Sequence, residues 1–298
     1  MISNHQIYNE GKRRLMDAGH SDQTALLLMN EICSHYGINL YMEMDDPINP
    51  AVQIDFLEAV HEMEKGTPLA YVLGYENFYG YDFIVNENVL IPRPETEELV
   101  GLVLQLCDEY FEDQDHVSVF DVATGSGAIG VSLALEEPKM DVIASDISKE
   151  ALQVAYLNNQ KLNSSAIFVC GDMLEPFIER NLHCNILVCN PPYIPSEEEM
   201  EHSVVDFEPH VALFGGKDGL KFYRSLLKNA HKVLLPGSIM AFEMGYDQAK
   251  RLSQLVREYF PEAKIQVHKD MSGKDRMLSA WIKDPKSNTD SEPYSESE

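Results

Sequence analysis

Two different hydrophobic rhythms divide this chain. Over the first seventy or so positions the apolar residues recur at helical spacing: Ala25, Leu28, Ile32 and Cys33 form one stripe, Ile54, Leu57, Val60 and Met63 another. Ser21-Asp22 caps the first stripe and Gly37 ends it, while Asn49-Pro50 opens the second and Gly66 stops it. These stripes predict a small helical bundle. From residue 117 onward short apolar runs alternate with amphipathic stretches. Strands are expected at 117–122, 141–146, 166–170, 186–188 and 238–242, with helices between them, the signature of a parallel sheet. Residues 264–268 and 277–282 are expected to close that sheet as an antiparallel pair.

Between the two rhythms lies an aromatic, β-rich stretch, Tyr75-Glu76-Asn77-Phe78-Tyr79-Gly80-Tyr81-Asp82-Phe83-Ile84-Val85, followed after the polar break Asn86-Glu87-Asn88 by Val89-Leu90-Ile91. It reads as a β-hairpin linking two domains. The stiff turn Ile91-Pro92-Arg93-Pro94-Glu95-Thr96-Glu97 then leads into a helix with Leu99, Val100, Val103 and Leu106. Here Arg93 and Glu97 either form a structural ion pair or wall a pocket. The expected domains are a helical unit at 1–74, the linker at 75–92, an α/β domain at 93–284 and a disordered acidic tail at 285–298.

Composition narrows the function classes. Of 298 residues 44% are hydrophobic and 24% charged, as in ordinary globular proteins. The formal net charge is −26, and only 23 lysines and arginines stand against 49 acidic residues. Bulk binding to nucleic acid, which needs a basic face, is disfavoured. No apolar run approaches membrane-spanning length, and the polar MISNHQIYNEGKRR start lacks a signal-peptide core. The five cysteines show no metal-ligand spacing, and Cys170, Cys184 and Cys189 are expected as core thiols. Together these features imply a cytoplasmic protein with no metal.

The candidate chemistry sits where strands are expected to end, because open α/β sheets bind ligands at their carboxyl edges. The fourth strand runs into Asn190-Pro191-Pro192-Tyr193. Two prolines lack N–H donors and stop the ladder, leaving a rigid, extended segment. The Asn190 side-chain carbonyl and the Pro191 backbone carbonyl can each accept one N–H of a planar NH2 group, with Tyr193 over its face. Upstream, Gly125-x-Gly127-x-x-Gly130, with Asp146 about 20 residues beyond, satisfies a dinucleotide fingerprint. On that loop alone an NAD-dependent dehydrogenase is a candidate. Asp121, at the end of the first strand, argues for a different ligand, since a carboxylate attracts an amino group and repels a pyrophosphate. S-adenosylmethionine has the ammonium and ribose and lacks the phosphate.

The segment Asp121-Val122-Ala123-Thr124-Gly125-Ser126-Gly127-Ala128-Ile129 resembles the first motif of class I methyltransferases, and Asn190-Pro191-Pro192-Tyr193 resembles the motif of those that methylate planar nitrogens. With Ile91 to Glu97, Gly273-Lys274-Asp275-Arg276 and the aromatic hairpin, residues 66 to 283 resemble the protein-(glutamine-N5) methyltransferases of peptide chain release factors. That resemblance implies a Rossmann-like, mostly parallel sheet with an antiparallel closing strand, behind a helical bundle and a hairpin linker. It implies S-adenosyl-L-methionine as cofactor, with Asp121, Ala123, Thr124, Gly125, Ser126 and Gly127 around the methionine part and Asp146 on the ribose. Asp172 and Met173 would border the adenine, and Asn190 would touch both cofactor and substrate. Asn190, Pro191, Pro192 and Tyr193 would hold the substrate glutamine, with Asn190, Pro191 and Tyr193 as the catalytic set. Met173 stands where relatives often carry an aromatic residue, and Ala123 where many carry glycine, a small change. The implied activity is N5-methylation of the Gly-Gly-Gln glutamine of class I release factors, gripped also by the helical domain. An N6-adenine methyltransferase, a dehydrogenase and a non-catalytic SAM- or nucleotide-binding module are the competing readings.

Overall fold

In the computed structural model, which describes residues 2–198 and 206–283, the first helix starts on a reciprocal cap. The Ser3 side chain accepts the Gln6 N–H and Gln6 reaches back to the Ser3 N–H, so two orphan donors of helix α1 (Asn4–Asp17) are satisfied. Ser21 caps α2 (Asp22–His35) and Asn49 caps α3 (Pro50–Glu64), which opens on its proline. A short α4 (Leu69–Leu73) follows and ends on left-handed Gly74. Ile7, Leu15, Leu28, Met29, Cys33, Val52, Phe56 and Val60 are buried together as one core. These helices belong to a compact unit of residues 2–77, 82–91 and 206–210; residues 78–81, 92–198 and 211–283 form the second.

The aromatic stretch is a two-stranded hairpin, β1 (Tyr75–Phe78) and β2 (Tyr81–Ile84). Its reversal is at Tyr79-Gly80, and the Val89 run expected as a further strand is irregular instead. Tyr79 (φ 53°) and Gly80 (φ 81°) are both left-handed, as a tight two-residue hairpin turn demands. A tyrosine seldom accepts that conformation, and here its N–H is held by Glu97 Oε1 at 2.9 Å.

The second unit is an α/β sheet. After α5 (Pro94–Phe111) come β3 (Val117–Val122), α6 (Ala128–Glu136), β4 (Met140–Asp146), α7 (Lys149–Leu162), β5 (Ile167–Cys170), α8 (Glu175–Glu179), β6 (Cys184–Cys189), α9 (Lys221–Ala230), β7 (Leu234–Glu243), α10 (Ala249–Tyr259), β8 (Lys264–Lys269) and β9 (Asp275–Trp281). The spatial order is β5-β4-β3-β6-β7-β9-β8, parallel through β7. β9 runs antiparallel to both β7 and β8, as the closing pair was expected to. Phe120, Leu187, Met240, Phe242 and Leu278 fill one face with Phe177, Tyr223 and Leu226 from the covering helices. Each such side chain contributes about 1.5–3 kcal/mol by its burial. Cys184 and Cys189 are in the core as expected, but Cys170 is exposed. It ends β5, an edge strand whose first and last residues face out.

This order creates the position the site needs. The chain leaves β3 toward β4 and β5, then returns to start β6 on the opposite side of β3. The crevice where the winding reverses lies above the carboxyl ends of β3 and β6. Val122 pairs with Cys189 there, so the loop after Val122 and Asn190 leave the sheet side by side.

Candidate active site

Asp121, the penultimate residue of β3, is fully buried. Its Oδ2 accepts the Thr124 hydroxyl at 2.5 Å and the Gly130 N–H at 2.9 Å. Its Oδ1 is buried and, among the described residues, has no hydrogen-bond partner. Desolvation outweighs the two donors and pushes the carboxyl up to about 7, with Asp146 adding repulsion. An orphaned carboxylate oxygen in a buried site is costly to keep, and a cation placed beside it removes the cost.

The loop beyond turns through three left-handed residues, Ala123 (φ 61°), Gly125 (φ 56°) and Gly127 (φ 83°). Glycine takes that conformation freely, whereas Ala123 carries strain of about 1 kcal/mol, so the exchange is less neutral than its size suggests. A Cβ on Gly127 would also stand 3.1 Å from that of Ala155, so the missing side chain lets the loop lie on α7. Thr124 and Ser126 face inward. Thr124 spends its hydroxyl on Asp121 and its N–H on the Ser145 carbonyl, while the Ser126 carbonyl accepts Asn158 Nδ2 at 2.9 Å. Both shape the cradle from behind.

Asp146 ends β4. Its Oδ2 accepts the Gly125 N–H at 2.8 Å and its Oδ1 the Ser148 N–H at 2.9 Å, which joins the glycine loop to the second strand. Burial raises its pKa, opposed by backbone donors from Ser148, Gly125 and Ile147. A carboxylate has about four lone-pair positions, so beside these donors acceptor capacity for a hydroxyl remains. Asp172 is exposed just after β5. Met173 is left-handed (φ 47°), 9% exposed and packed in the core cluster, its carbonyl accepting the Ser145 hydroxyl at 3.3 Å. An unpartnered anionic oxygen, a turn of left-handed backbone and a second carboxylate suit the amino group, methionine backbone and ribose of S-adenosyl-L-methionine. The buried carboxylate would repel a pyrophosphate.

Beside this cradle lies a polar chain only half legible in the sequence. Asn190 Nδ2 donates to Thr96 Oγ1 at 3.2 Å, and the Thr96 hydroxyl donates to Glu243 Oε2 at 2.7 Å. The Tyr193 hydroxyl donates to Glu243 Oε1 at 3.1 Å, and Gln248 Nε2 donates to the Tyr193 carbonyl at 2.8 Å. Tyr193 is therefore pinned at both ring and backbone. Gly219 packs so closely that a Cβ would fall within 2.2 Å of the Tyr193 carbonyl oxygen. Pro191 is buried and Pro192 half-buried. Glu243 is 1% exposed and burial raises its carboxyl to about 7. Burial and the nearby carboxylate push the Tyr193 hydroxyl far above its ordinary range, so it stays a donor. Thr96 and Glu243 were missed as site residues. The signal for Glu243 was present: it closes the fifth strand, the same carboxyl-edge position that singles out Asp121, Asp146 and Asn190.

The family model described as Methyltransferase small domain matches residues 104–207, and that described as PrmC N-terminal domain matches residues 6–74. A solved methyltransferase from Pyrococcus furiosus superposes with a TM-score of 0.51 at 18% identity, covering 79% of this chain and 100% of that one. The hMettl16 catalytic domain, solved in complex with MAT2A 3'UTR hairpin 6, gives 0.52 at 13% identity over 80% of this chain and 84% of that one. Both share the fold. Among curated relatives, the release factor glutamine methyltransferase of Bacillus subtilis is 42% identical over 270 residues, 90% of this chain and 94% of that protein. That of Bacillus anthracis is 39% identical over 90% of this chain and 95% of its own length. The dinucleotide reading of the glycine loop gives way to the methyltransferase one, and with such identity along nine-tenths of its length the chain belongs to the release factor glutamine methyltransferase family.

Proposed function

We propose that this chain methylates the side-chain amide nitrogen of the glutamine in the Gly-Gly-Gln loop of class I peptide chain release factors. One observation carries the reading. The Asp121 cradle and the Asn190-Pro191-Pro192-Tyr193 segment leave adjacent strands at paired positions, Val122 beside Cys189. A cationic donor and a planar NH2 group can therefore be held against each other.

When bound, S-adenosyl-L-methionine supplies an electrophilic methyl group on a sulfonium. Asp121 Oδ1 would take its amino group, the backbone of residues 123–127 its methionine part, Asp146 its ribose hydroxyls, and Asp172 and Met173 would border the adenine. The substrate amide is a weak nucleophile, because its lone pair is delocalised into its own carbonyl. Positioning therefore carries the catalysis and can supply about 7–11 kcal/mol in favourable cases. Asn190 Oδ1 and the Pro191 carbonyl accept the two amide N–H groups and aim the nitrogen. Tyr193, pinned at both ends, covers the amide plane. As the nitrogen gains positive charge, the two carbonyl dipoles already point at it and stabilise it. Once the N–C bond has formed and the sulfonium C–S bond has broken, one of the two N–H protons is lost to solvent to leave the neutral methylamide. The extended, glycine-flanked loop tip of a release factor fits such a slot. The helical unit would grip the factor elsewhere, so a free glutamine peptide should be a much poorer substrate.

The test is transfer of a labelled methyl group to an intact release factor, to the same factor with its Gly-Gly-Gln glutamine changed to alanine, and to duplex DNA. Label on the intact factor alone is expected. Label on DNA, or undiminished label on the altered factor, overturns the reading.

A further inference from the structure

We propose that Thr96 and Glu243 are positioning residues that fix which end of the Asn190 amide faces the substrate. This rests on the reading of Asn190 as an acceptor for the substrate amide. An asparagine side chain is nearly symmetric in shape but opposite in chemistry at its two ends, so something must choose. If the NH2 end faced the substrate, two donors would confront each other and the amide would not be held. The choice here is dictated from Glu243. An ionised carboxylate can only accept, so the Thr96 hydroxyl gives it its one proton at 2.7 Å. The Thr96 oxygen is then left only as an acceptor, and it takes the Asn190 NH2 at 3.2 Å. Asn190 Oδ1 must turn the other way. The second Glu243 oxygen binds the Tyr193 hydroxyl at 3.1 Å, so one buried carboxylate sets both the acceptor and the aromatic cover.

The chain has a definite polarity and can be inverted. If Glu243 takes up a proton, it can donate to Thr96, and the Thr96 hydroxyl becomes free to donate to Asn190 Oδ1. The amide would then present its NH2 end. The groups facing Glu243 are Thr96 and Glu95 of α5, Tyr193 after β6, Tyr223 of α9 and Arg276 of β9. Burial and Glu95 raise the Glu243 carboxyl toward 7, while Thr96, Tyr193 and Arg276 oppose that rise. The competent polarity is present above that range and is lost as pH falls through it.

Single-turnover methylation of a release factor by wild type, Thr96→Val, Thr96→Ser and Glu243→Gln tests the proposal, with SAM affinity measured on each. Valine keeps the shape of threonine without its hydroxyl; serine keeps the hydroxyl. Thr96→Val is expected to lower the rate at least ~10-fold with SAM affinity within about twofold of wild type, and Thr96→Ser to restore most of it. With SAM saturating at every pH, so that protonation of Asp121 does not limit cofactor binding, the wild-type rate should fall on the acid side of about pH 7, and Glu243→Gln, which cannot ionise, should lose that fall. A purely structural role would instead lower thermal stability and SAM affinity together, leaving the pH profile in place. The proposal is overturned by a Thr96→Val rate near wild type, by serine no better than valine, or by an unchanged acid limb in Glu243→Gln. Should Thr96→Val fail to fold, the Glu243→Gln profile decides alone. Wild type failing to methylate the factor at all would overturn the proposed function, an outcome distinct from these.

Discussion

Replacing Asp121 by asparagine should make the ligand-free protein more stable and the cofactor site worse. The substitution keeps the shape, and an asparagine Oδ1 can take over the Thr124 and Gly130 hydrogen bonds now made by Asp121 Oδ2. What disappears is a buried charge. A carboxyl held at about 7 instead of its ordinary 3.8 costs about 4 kcal/mol of folding free energy once fully ionised, at about 1.4 kcal/mol per tenfold in proton affinity. Because the folded-state pKa is raised, that cost is absent below the ordinary pKa and grows as pH rises to about 7. The new NH2 group would lie where Oδ1 now has no partner, at a cost of about 1–3 kcal/mol. Net stabilisation of about 1–3 kcal/mol is expected near pH 8. It should shrink by about 2 kcal/mol on going to about pH 5.5, where wild-type Asp121 is already protonated. Thermal unfolding of both proteins at the two pH values measures this. Calorimetry with SAM should show about 10- to 150-fold weaker binding, the loss of one charge-assisted hydrogen bond. Unchanged SAM affinity would refute the assignment of Oδ1 as the ligand's acceptor, and a lower melting temperature at pH 8 would refute the cost of the buried charge.

Two further outcomes follow from the same geometry. Asn190→Ala should lower turnover at least ~100-fold, as expected for loss of a preorganised polar contact, while melting temperature and SAM affinity stay close to wild type; a large stability loss with little rate change would mark Asn190 as structural. Ala123→Gly relieves a left-handed alanine (φ 61°); the extra chain entropy of glycine offsets much of the gain, so stabilisation of up to about 0.5 kcal/mol should remain, visible as a melting temperature equal to or up to about 2 °C above wild type, and a clearly lower one would contradict the strain.

Local patterns reached far into this molecule. Ser21, Asn49, Gly37 and Gly66 mark helix ends because capping and left-handed stops depend only on nearby residues. The sheet was legible because strands buried on both faces read as unbroken apolar runs. Asp121, Asp146 and Asn190 stood out because each lies at or beside the carboxyl end of such a run. The failures have equally physical causes. Helix α1 hides in a polar stretch, although Ser3-x-x-Gln6 is its cap signature. The hairpin turn falls on Tyr79-Gly80, where a tyrosine occupies a conformation that sequence rules reserve for glycine or asparagine. Cys170 faces out because β5 is an edge, and strand order is not written in any single strand. Thr96 lies 94 residues before Asn190 and 147 before Glu243, so their chain exists only once the sheet has brought them together.

In the proposed reaction the methyl group arrives on one amide nitrogen, held by Asn190 and Pro191. Tandem mass spectrometry of a release factor after reaction with SAM, comparing wild-type enzyme with Asn190→Ala, locates that methyl group. The expected result is a single methyl group on the side-chain nitrogen of the Gly-Gly-Gln glutamine, formed by wild type and nearly absent with the variant. A methyl group on any other residue, or the same yield from the variant, would contradict it.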